Sequence, residues 1–219
     1  SRAFREGRCE VAVVDNASDG PVPAWAAECP GRGGVRVHLS GTNGGFARGV
    51  NAGANLATGR WLLLLNPDVS IDEDFAGRAV ECLGRHERRG GDGPSVVGFA
   101  LRNPDGTPQP SVGVEPSLYR SLRGLFIPRG RRKYQPAPRV RAGTVPWATG
   151  ACLAIRADAF REAGGMDEDF FLYYEEVALC RTLRDLGHRV EYDPGLEAVH
   201  ARPLQNRALE LFHQSLCHR

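Results

Sequence analysis

Four places in this chain of 219 residues carry side chains whose type and position could do chemistry: Asp15, Asp68, the adjacent pair Glu175 and Glu176, and His200. Asp15 ends the apolar run CEVAVVD. A carboxylate there can accept hydrogen bonds from a base or ribose, or it can join Asn16 and Ser18 in capping the next turn. Asp68 stands just past a run of four leucines in RWLLLLNPDVS. Glu175 and Glu176 lie in FFLYYEEVALC, among aromatic residues. Successive helical residues point about 100° apart, so only one of the two can address a given pocket. An acid beside apolar rings can have its proton affinity raised, as a general base requires. His200, in AVHARP, ends a β-rich run. A neutral imidazole is a good ligand for a divalent ion, although a satisfied core histidine is commoner. GTNGGFARGVN sets Asn43, Gly44 and Gly45 at a helix entrance, where free N–H groups favour phosphate. It lacks both the Gly-x-Gly-x-x-Gly spacing and the Gly-Lys-Ser/Thr ending of the commoner phosphate loops.

These side chains need elements to position them. The leucine run reads as a strand buried on both faces, as in a parallel α/β sheet. Pro67 has no N–H and stops the ladder, so Asp68 is expected just past the carboxyl end of a central strand, where open α/β sheets bind ligands. CEVAVVD, VRVHLS, SVVGFAL, GACLAIR and HRVEYDP read as further strands, with EAVH following the last. Helices are expected over GGFARGVNAGANLATG, which ends at Gly59, over 71–88 with acids in its first turn, and over 170–186. The strand–helix alternation predicts a mostly parallel sheet with crossover helices. Three parts of a single domain follow: a first half over 1–102, an irregular basic segment over 103–146, and a second half over 147–219. The middle segment is rich in proline and gathers Arg120, Arg123, Arg129, Arg131, Arg132, Lys133, Arg139 and Arg141 around an LFI tip. It reads as a solvated loop or a surface for an anionic membrane face. From residue 203 the chain looks like an unfinished helix.

Composition excludes several classes. With 42% hydrophobic and 25% charged residues the chain is neither disordered nor fibrous. A net charge of +2 argues against a dedicated nucleic-acid binder. No apolar run reaches membrane-spanning length, and no signal peptide is visible. Asn16-Ala17-Ser18 matches a glycosylation sequon, which matters only in a secreted protein. The six cysteines are scattered without a Cys-x-x-Cys pair, as structural thiols of a cytoplasmic protein would be. His213, Cys217 and His218 cluster by helical spacing alone, and no metal site is assigned to them.

Taken in order, VVDNASDG, NGGFARGVNAG, LLLLNPD, TGACLAIR, GGMDEDFFLYYEEVALC and VEYDPGLEAVH resemble the motifs of the family-2 glycosyltransferases. The likeness runs over 10–202 and is strongest to the rhamnosyltransferase-like and galactofuranosyltransferase-like members. It implies a GT-A-like α/β fold. It further implies transfer of a sugar, rhamnose or another hexose, from a UDP- or dTDP-sugar to a glycan or polyprenyl-linked acceptor, with inversion at the anomeric carbon. A divalent ion, Mg²⁺ or Mn²⁺, would rest on Asp68 in the Asn66-Pro67-Asp68 turn, with His200 completing the site. The donor would be bound by Asp15, Asn43, Gly44, Gly45, Phe46, Arg48, Asn51 and Asn66. Trp147, Thr149 and Gly150 would lie under the donor sugar and acceptor. Glu176 matches the family's base, with Glu175 as the alternative. The resemblance implies a cytoplasmic enzyme, peripheral at the inner membrane face. Two features depart from the pattern. Ala178 stands where an acid usually follows the base, and the chain opens near the end of the family's first helix, so that a central strand would precede Ser1. A sugar-nucleotide pyrophosphorylase and a catalytically inactive nucleotide-sugar- or glycan-binding domain are the rival readings.

Overall fold

The computed structural model describes residues 2–18, 34–115 and 141–201. A short helix α1 (Arg2–Arg5) leads into β1 (Val11–Asp15), which pairs in parallel with β2 (Val35–Leu39). Helix α2 (Gly45–Leu56) packs on this two-stranded sheet. There follow β3 (Trp61–Leu65), β4 (Val69–Ser70), α3 (Phe75–Glu87) and β5 (Val96–Arg102). The short strands β6 (Pro108–Gln109), β7 (Val112–Gly113), β8 (Gly143–Thr144) and β9 (Trp147–Ala148) come next. Then come β10 (Cys152–Arg156), α4 (Ala157–Glu162), α5 (Glu175–Asp185) and the long β11 (Val190–His200).

The main sheet has the order β3-β10-β5-β11-β4, with β6 on β5 and β8 on β11. It is mixed rather than mostly parallel. β3, β5 and β11 run one way, and β10 is inserted antiparallel between β3 and β5. The reason lies in the connection: β10 is entered from β9 through the tight Thr149–Ala151 stretch, with no crossover helix to force a parallel direction. The expected strands at HRVEYDP and EAVH are one strand, bent where its register against β5 slips between Asp193 and Glu197.

Period-2 alternation places the core. On β5 and β10, Val96, Leu153 and Ile155 face the cluster under α2, α4 and α5, which includes Trp147, Met166 and Leu183. Val97, Phe99, Cys152 and Ala154 face the other, under Phe75, Ala79 and Leu83 of α3. Both strands are therefore unbroken apolar runs. The four leucines behave differently. Leu62 is buried, but Leu65 is 38% exposed, because β3 ends the sheet and no strand among the described residues pairs with its outer edge. The strand is apolar beyond what its present neighbours bury.

Two helices begin later than their patterns predict. The acids Asp72, Glu73 and Asp74 precede α3 rather than forming its first turn, because β4 occupies Val69–Ser70 and Asp72 Oδ1 accepts the Asp74 N–H at 3.0 Å. Residues 170–174 are not helical: Tyr173 and Tyr174 both hold positive φ, at 72° and 75°, so α5 starts only at Glu175. The cysteines Cys9, Cys82, Cys152 and Cys180 are free, and burial pushes the Cys152 and Cys180 thiols up to about 12. No helix among the described residues is long and apolar enough to cross a membrane. The basic cluster from Arg120 to Arg139, Arg202, the segment from 203, and His213, Cys217 and His218 lie outside the described residues.

Glu10 ties β1 to the chain leaving α2. Its Oε1 accepts from the Thr58 N–H, the Thr58 hydroxyl and the Gly59 N–H. Burial alone would raise its pKa, but these hydrogen bonds and Arg36 outweigh it and hold the carboxyl below its ordinary value. A depressed pKa contributes stability above the ordinary carboxylate range and loses it as pH falls through the folded value. Glu10→Gln is therefore expected to lower stability by about 1 kcal/mol at pH 7, with the difference shrinking below about pH 4. Urea denaturation of both proteins at the two pH values measures it.

Candidate active site

The parallel direction of β1 and β2 among themselves, and of β3, β5 and β11, brings the informative residues to strand carboxyl ends. Asp15 ends β1, Asn66 and Asp68 follow β3, and His200 ends β11. Cys152 pairs with Leu65, and Asn66 N–H donates to Ala151 O at 3.1 Å, so Gly150 and Ala151 lie beside the Asn66–Asp68 turn.

Asp68 and His200 meet directly. His200 Nε2 stands 3.1 Å from Asp68 Oδ1, and the imidazole is almost wholly buried. Its Nδ1 lies 2.8 Å from Gln109 Oε1, a side chain that β6 holds against β5. A carbonyl oxygen only accepts, so Nδ1 carries the proton. Nε2 then turns towards a carboxylate oxygen, and the pair needs a proton or a cation between them. The Asp68 backbone is fixed from both sides: Val69 N–H donates to Asn66 O at 3.0 Å, and Ala201 N–H to Asp68 O at 2.8 Å. Asn66 Oδ1 is buried with no hydrogen-bond partner among the described residues. An unpartnered oxygen, a carboxylate and an imidazole nitrogen around one turn suit a divalent ion that shares oxygen ligands with a substrate. The residues present fit such an ion.

The entrance to α2 is built by a contact that local sequence patterns do not reveal. Asn16, just past β1, donates from Nδ2 to Asn43 Oδ1 at 3.0 Å and to Gly45 O at 2.9 Å. Its Oδ1 accepts the Gly44 N–H at 3.1 Å. Asn43 Oδ1 also accepts the Gly45 N–H at 3.0 Å. Arg48 and Asn51, one and two turns into α2, converge on Glu168, at 3.0 Å each. Asn51 further clamps Met166, with Oδ1 accepting its N–H and Nδ2 donating to its carbonyl, both at 2.9 Å. The bonds from Asn51 and then Arg48 hold the Glu168 carboxyl below its ordinary pKa.

Gly45 is the tightest point. Its φ is +85°, and a Cβ there would stand 2.3 Å from Phe171 O, which accepts the Phe46 N–H at 2.9 Å. Gly45→Ala is expected to lose about 1–2 kcal/mol from the left-handed backbone alone, with displacement of the 170–174 segment in addition. A melting temperature lowered by at least about 3 °C, read by calorimetry, is the expected result.

Phe46 carries this loop to the carboxylate pair. A Cβ on Gly150 would stand 3.1 Å from the Phe46 ring and 3.9 Å from Glu176 Cβ, so Gly150 separates the two. Glu175 and Glu176 are both buried in the first turn of α5. The left-handed tyrosines before them fix where the helix begins. Phe171, Leu172 and Tyr174 of the same segment expose apolar surface. Thr149 is half-buried and its N–H donates to Ser111 O at 2.8 Å. Trp147, in contrast, is a core residue, 1% exposed, whose Nε1 donates to Val114 O at 2.9 Å. Backbone pairing thus sets Gly150 beside the Asn66–Asp68 turn, Asp68 meets His200, and Gly150 stands between Phe46 and Glu176. Arg48 and Asn51 are engaged by Glu168, and Trp147 lies in the core.

Sequence patterns alone did not reveal Asn16, Gln109 or Glu168. Asn16 carried only a capping signal, and nothing in a proline-rich stretch singled out Gln109.

The family described as glycosyl transferase family 2 matches residues 2–164. Among curated proteins, an N-acetylglucosaminyl-diphospho-decaprenol L-rhamnosyltransferase of Mycobacterium tuberculosis is 31% identical over 213 residues, covering 87% of this chain and 66% of its own length. The low-salt glycan biosynthesis hexosyltransferase Agl10 of Haloferax volcanii is 26% identical, covering 95% of this chain and 64% of its own. The chain thus spans about two thirds of the length of these relatives. Solved structures with the same fold include GalNAc-T7 with UDP, GalNAc and Mn²⁺, with a TM-score of 0.62 and 14% identity over 92% of this chain and 39% of that one. Another is the mannosyltransferase PcManGT of Pyrobaculum calidifontis with GDP-Man and Mn²⁺, with a TM-score of 0.59 and 19% identity over 97% and 56%. The central sheet and its flanking helices are those of the GT-A glycosyltransferases, and the chain belongs to glycosyl transferase family 2.

Proposed function

We propose that this chain is the catalytic domain of an inverting glycosyltransferase that moves a sugar from a UDP- or dTDP-sugar to a glycan or polyprenyl-linked acceptor. The observation that carries the reading is the Asp68–His200 pair, 3.1 Å apart at the strand ends. The mycobacterial relative's name, with its decaprenyl-diphosphate acceptor and rhamnosyl transfer, supports a lipid-linked acceptor and rhamnose as the sugar.

Asp68 and His200, with Asn66, would hold Mg²⁺ or Mn²⁺. Such an ion, when bound, neutralises charge on a departing nucleoside diphosphate. Asp15 accepts hydrogen bonds from the nucleoside. Asn43, Gly44, Gly45 and Phe46 line the donor, in a loop that Asn16 shapes. Arg48 and Asn51 act through Glu168, keeping α2 against the 166–171 segment. Thr149 and Gly150 lie under the sugar, and Phe171, Leu172 and Tyr174 offer apolar faces to the acceptor. The Glu176 carboxylate takes the proton of the acceptor hydroxyl as its oxygen bonds to the anomeric carbon. The bond from that carbon to the diphosphate oxygen breaks on the opposite face, so the centre inverts and the nucleoside diphosphate leaves with the bonding pair. The basic segment within 103–146 would rest on the anionic inner face of a membrane, as a cytoplasmic peripheral enzyme requires.

The test is release of nucleoside diphosphate from a panel of UDP- and dTDP-sugars, with Mg²⁺ or Mn²⁺ and a polyprenyl-diphosphate saccharide. Acceptor-dependent release with one donor is expected. Binding of a donor without release under any of these conditions would favour the inactive nucleotide-sugar-binding domain.

A further inference from the structure

A second cluster of ligating side chains lies where α3 crosses β11, at the other end of that strand from His200. Cys82 and His86 are four residues apart and so project from one face of α3. Asp193 meets them from β11, at the residue where the strand's register slips. Its Oδ2 lies 3.2 Å from Cys82 Sγ and 3.2 Å from His86 Nε2, and the three ligating atoms all fall within 4.8 Å of one another. Its Oδ1 is engaged elsewhere, accepting the Gly195 N–H at 2.8 Å, so the carboxylate is held with one oxygen towards the helix.

We propose that Cys82, His86 and Asp193 form a zinc site, separate from the sugar-transfer site, that ties α3 to the bend of β11. The donor set decides the metal: thiolate, imidazole and a single carboxylate oxygen suit Zn²⁺ rather than Mg²⁺ or Mn²⁺. Zinc with sulfur at about 2.3 Å and nitrogen or oxygen at about 2.0 Å would set tetrahedral ligand atoms about 3.3–3.6 Å apart. The observed 3.2 Å separations need to open by only a few tenths of an ångström. One thiolate and one carboxylate balance the ion's charge. Asp193 retains some exposure, so solvent can supply a fourth ligand.

The surroundings of His86 suit a metal-bound imidazole. Its Nδ1 is buried with no hydrogen-bond partner among the described residues and lies 3.8 Å from Glu191 Oε2. Glu191 is fixed there by both terminal nitrogens of Arg89, at 2.6 and 3.0 Å. With Zn²⁺ on Nε2 the ring proton moves to Nδ1 and faces that carboxylate, the outer partner that metal-bound histidines commonly have. Without metal, burial and then the Asp193 hydrogen bond push the Cys82 thiol up to about 12. Zinc binding therefore releases the thiol proton to solvent as the sulfur–zinc bond forms.

The test is titration of the chelator-stripped chain with Co²⁺ under anaerobic conditions. Wild type is expected to show a thiolate-to-cobalt charge-transfer band that saturates at one equivalent and is bleached by Zn²⁺. The band should be absent in Cys82→Ser and retained in Cys9→Ser. Zn²⁺ should raise the melting temperature of wild type and leave that of Asp193→Asn unchanged. No band in wild type, a band that survives Cys82→Ser, or equal zinc stabilisation of wild type and Asp193→Asn would each overturn the site.

Discussion

Glu176→Gln is expected to lower the rate of sugar transfer by about 10²–10⁴-fold while nucleotide binding stays within about twofold of wild type. The amide keeps the shape of the side chain but cannot accept the acceptor's proton. Because the residue is buried and Gly150 lies between it and the Phe46 ring, the substitution should not alter the donor loop. Glu175→Gln should keep turnover within about tenfold of wild type, since its side chain points about 100° away around the helix. Single-turnover assays on both variants make the comparison. The reverse pattern would move the base to Glu175.

Asp68→Ala is expected to abolish the metal dependence of donor binding and weaken it by at least about 100-fold, given that losing an outer partner of a metal site alone commonly costs 10–100-fold. His200→Gln should weaken it in the same direction but less, because Asp68 and Asn66 remain. Both substitutions remove one partner of the buried Asp68–His200 contact. A cooperative melt and an unchanged circular dichroism spectrum for each apo variant separate loss of binding from loss of fold.

Much of this arrangement was legible in the chain because it is written locally. Apolar runs such as SVVGFAL and GACLAIR alternate between two cores, and the turn residues Asn66-Pro67-Asp68 mark where a strand must stop. The ordered motifs placed Asp68 near His200 although 132 residues separate them. Direction and partners were less visible. Nothing in GACLAIR says that it runs antiparallel between β3 and β5, since burial on both faces looks the same in either direction. The leucine run predicts a fully buried strand, but burial depends on a neighbour at its outer edge, which composition does not report. Helix α5 begins late because the backbone of Tyr173 and Tyr174 turns left-handed, a tertiary choice that overrides their helical spacing. Asn16 and Gln109 act through partners 27 and 91 residues away, beyond the reach of any local pattern.

Whether Asp68 anchors the donor at the end of the leucine strand is read by calorimetric titration of UDP and dTDP into wild type and Asp68→Ala, with and without Mn²⁺. Mn²⁺-dependent binding of one of the two nucleotides to wild type and none to Asp68→Ala is expected. Binding to wild type that ignores Mn²⁺, or Mn²⁺-dependent binding that survives Asp68→Ala unchanged, would contradict it.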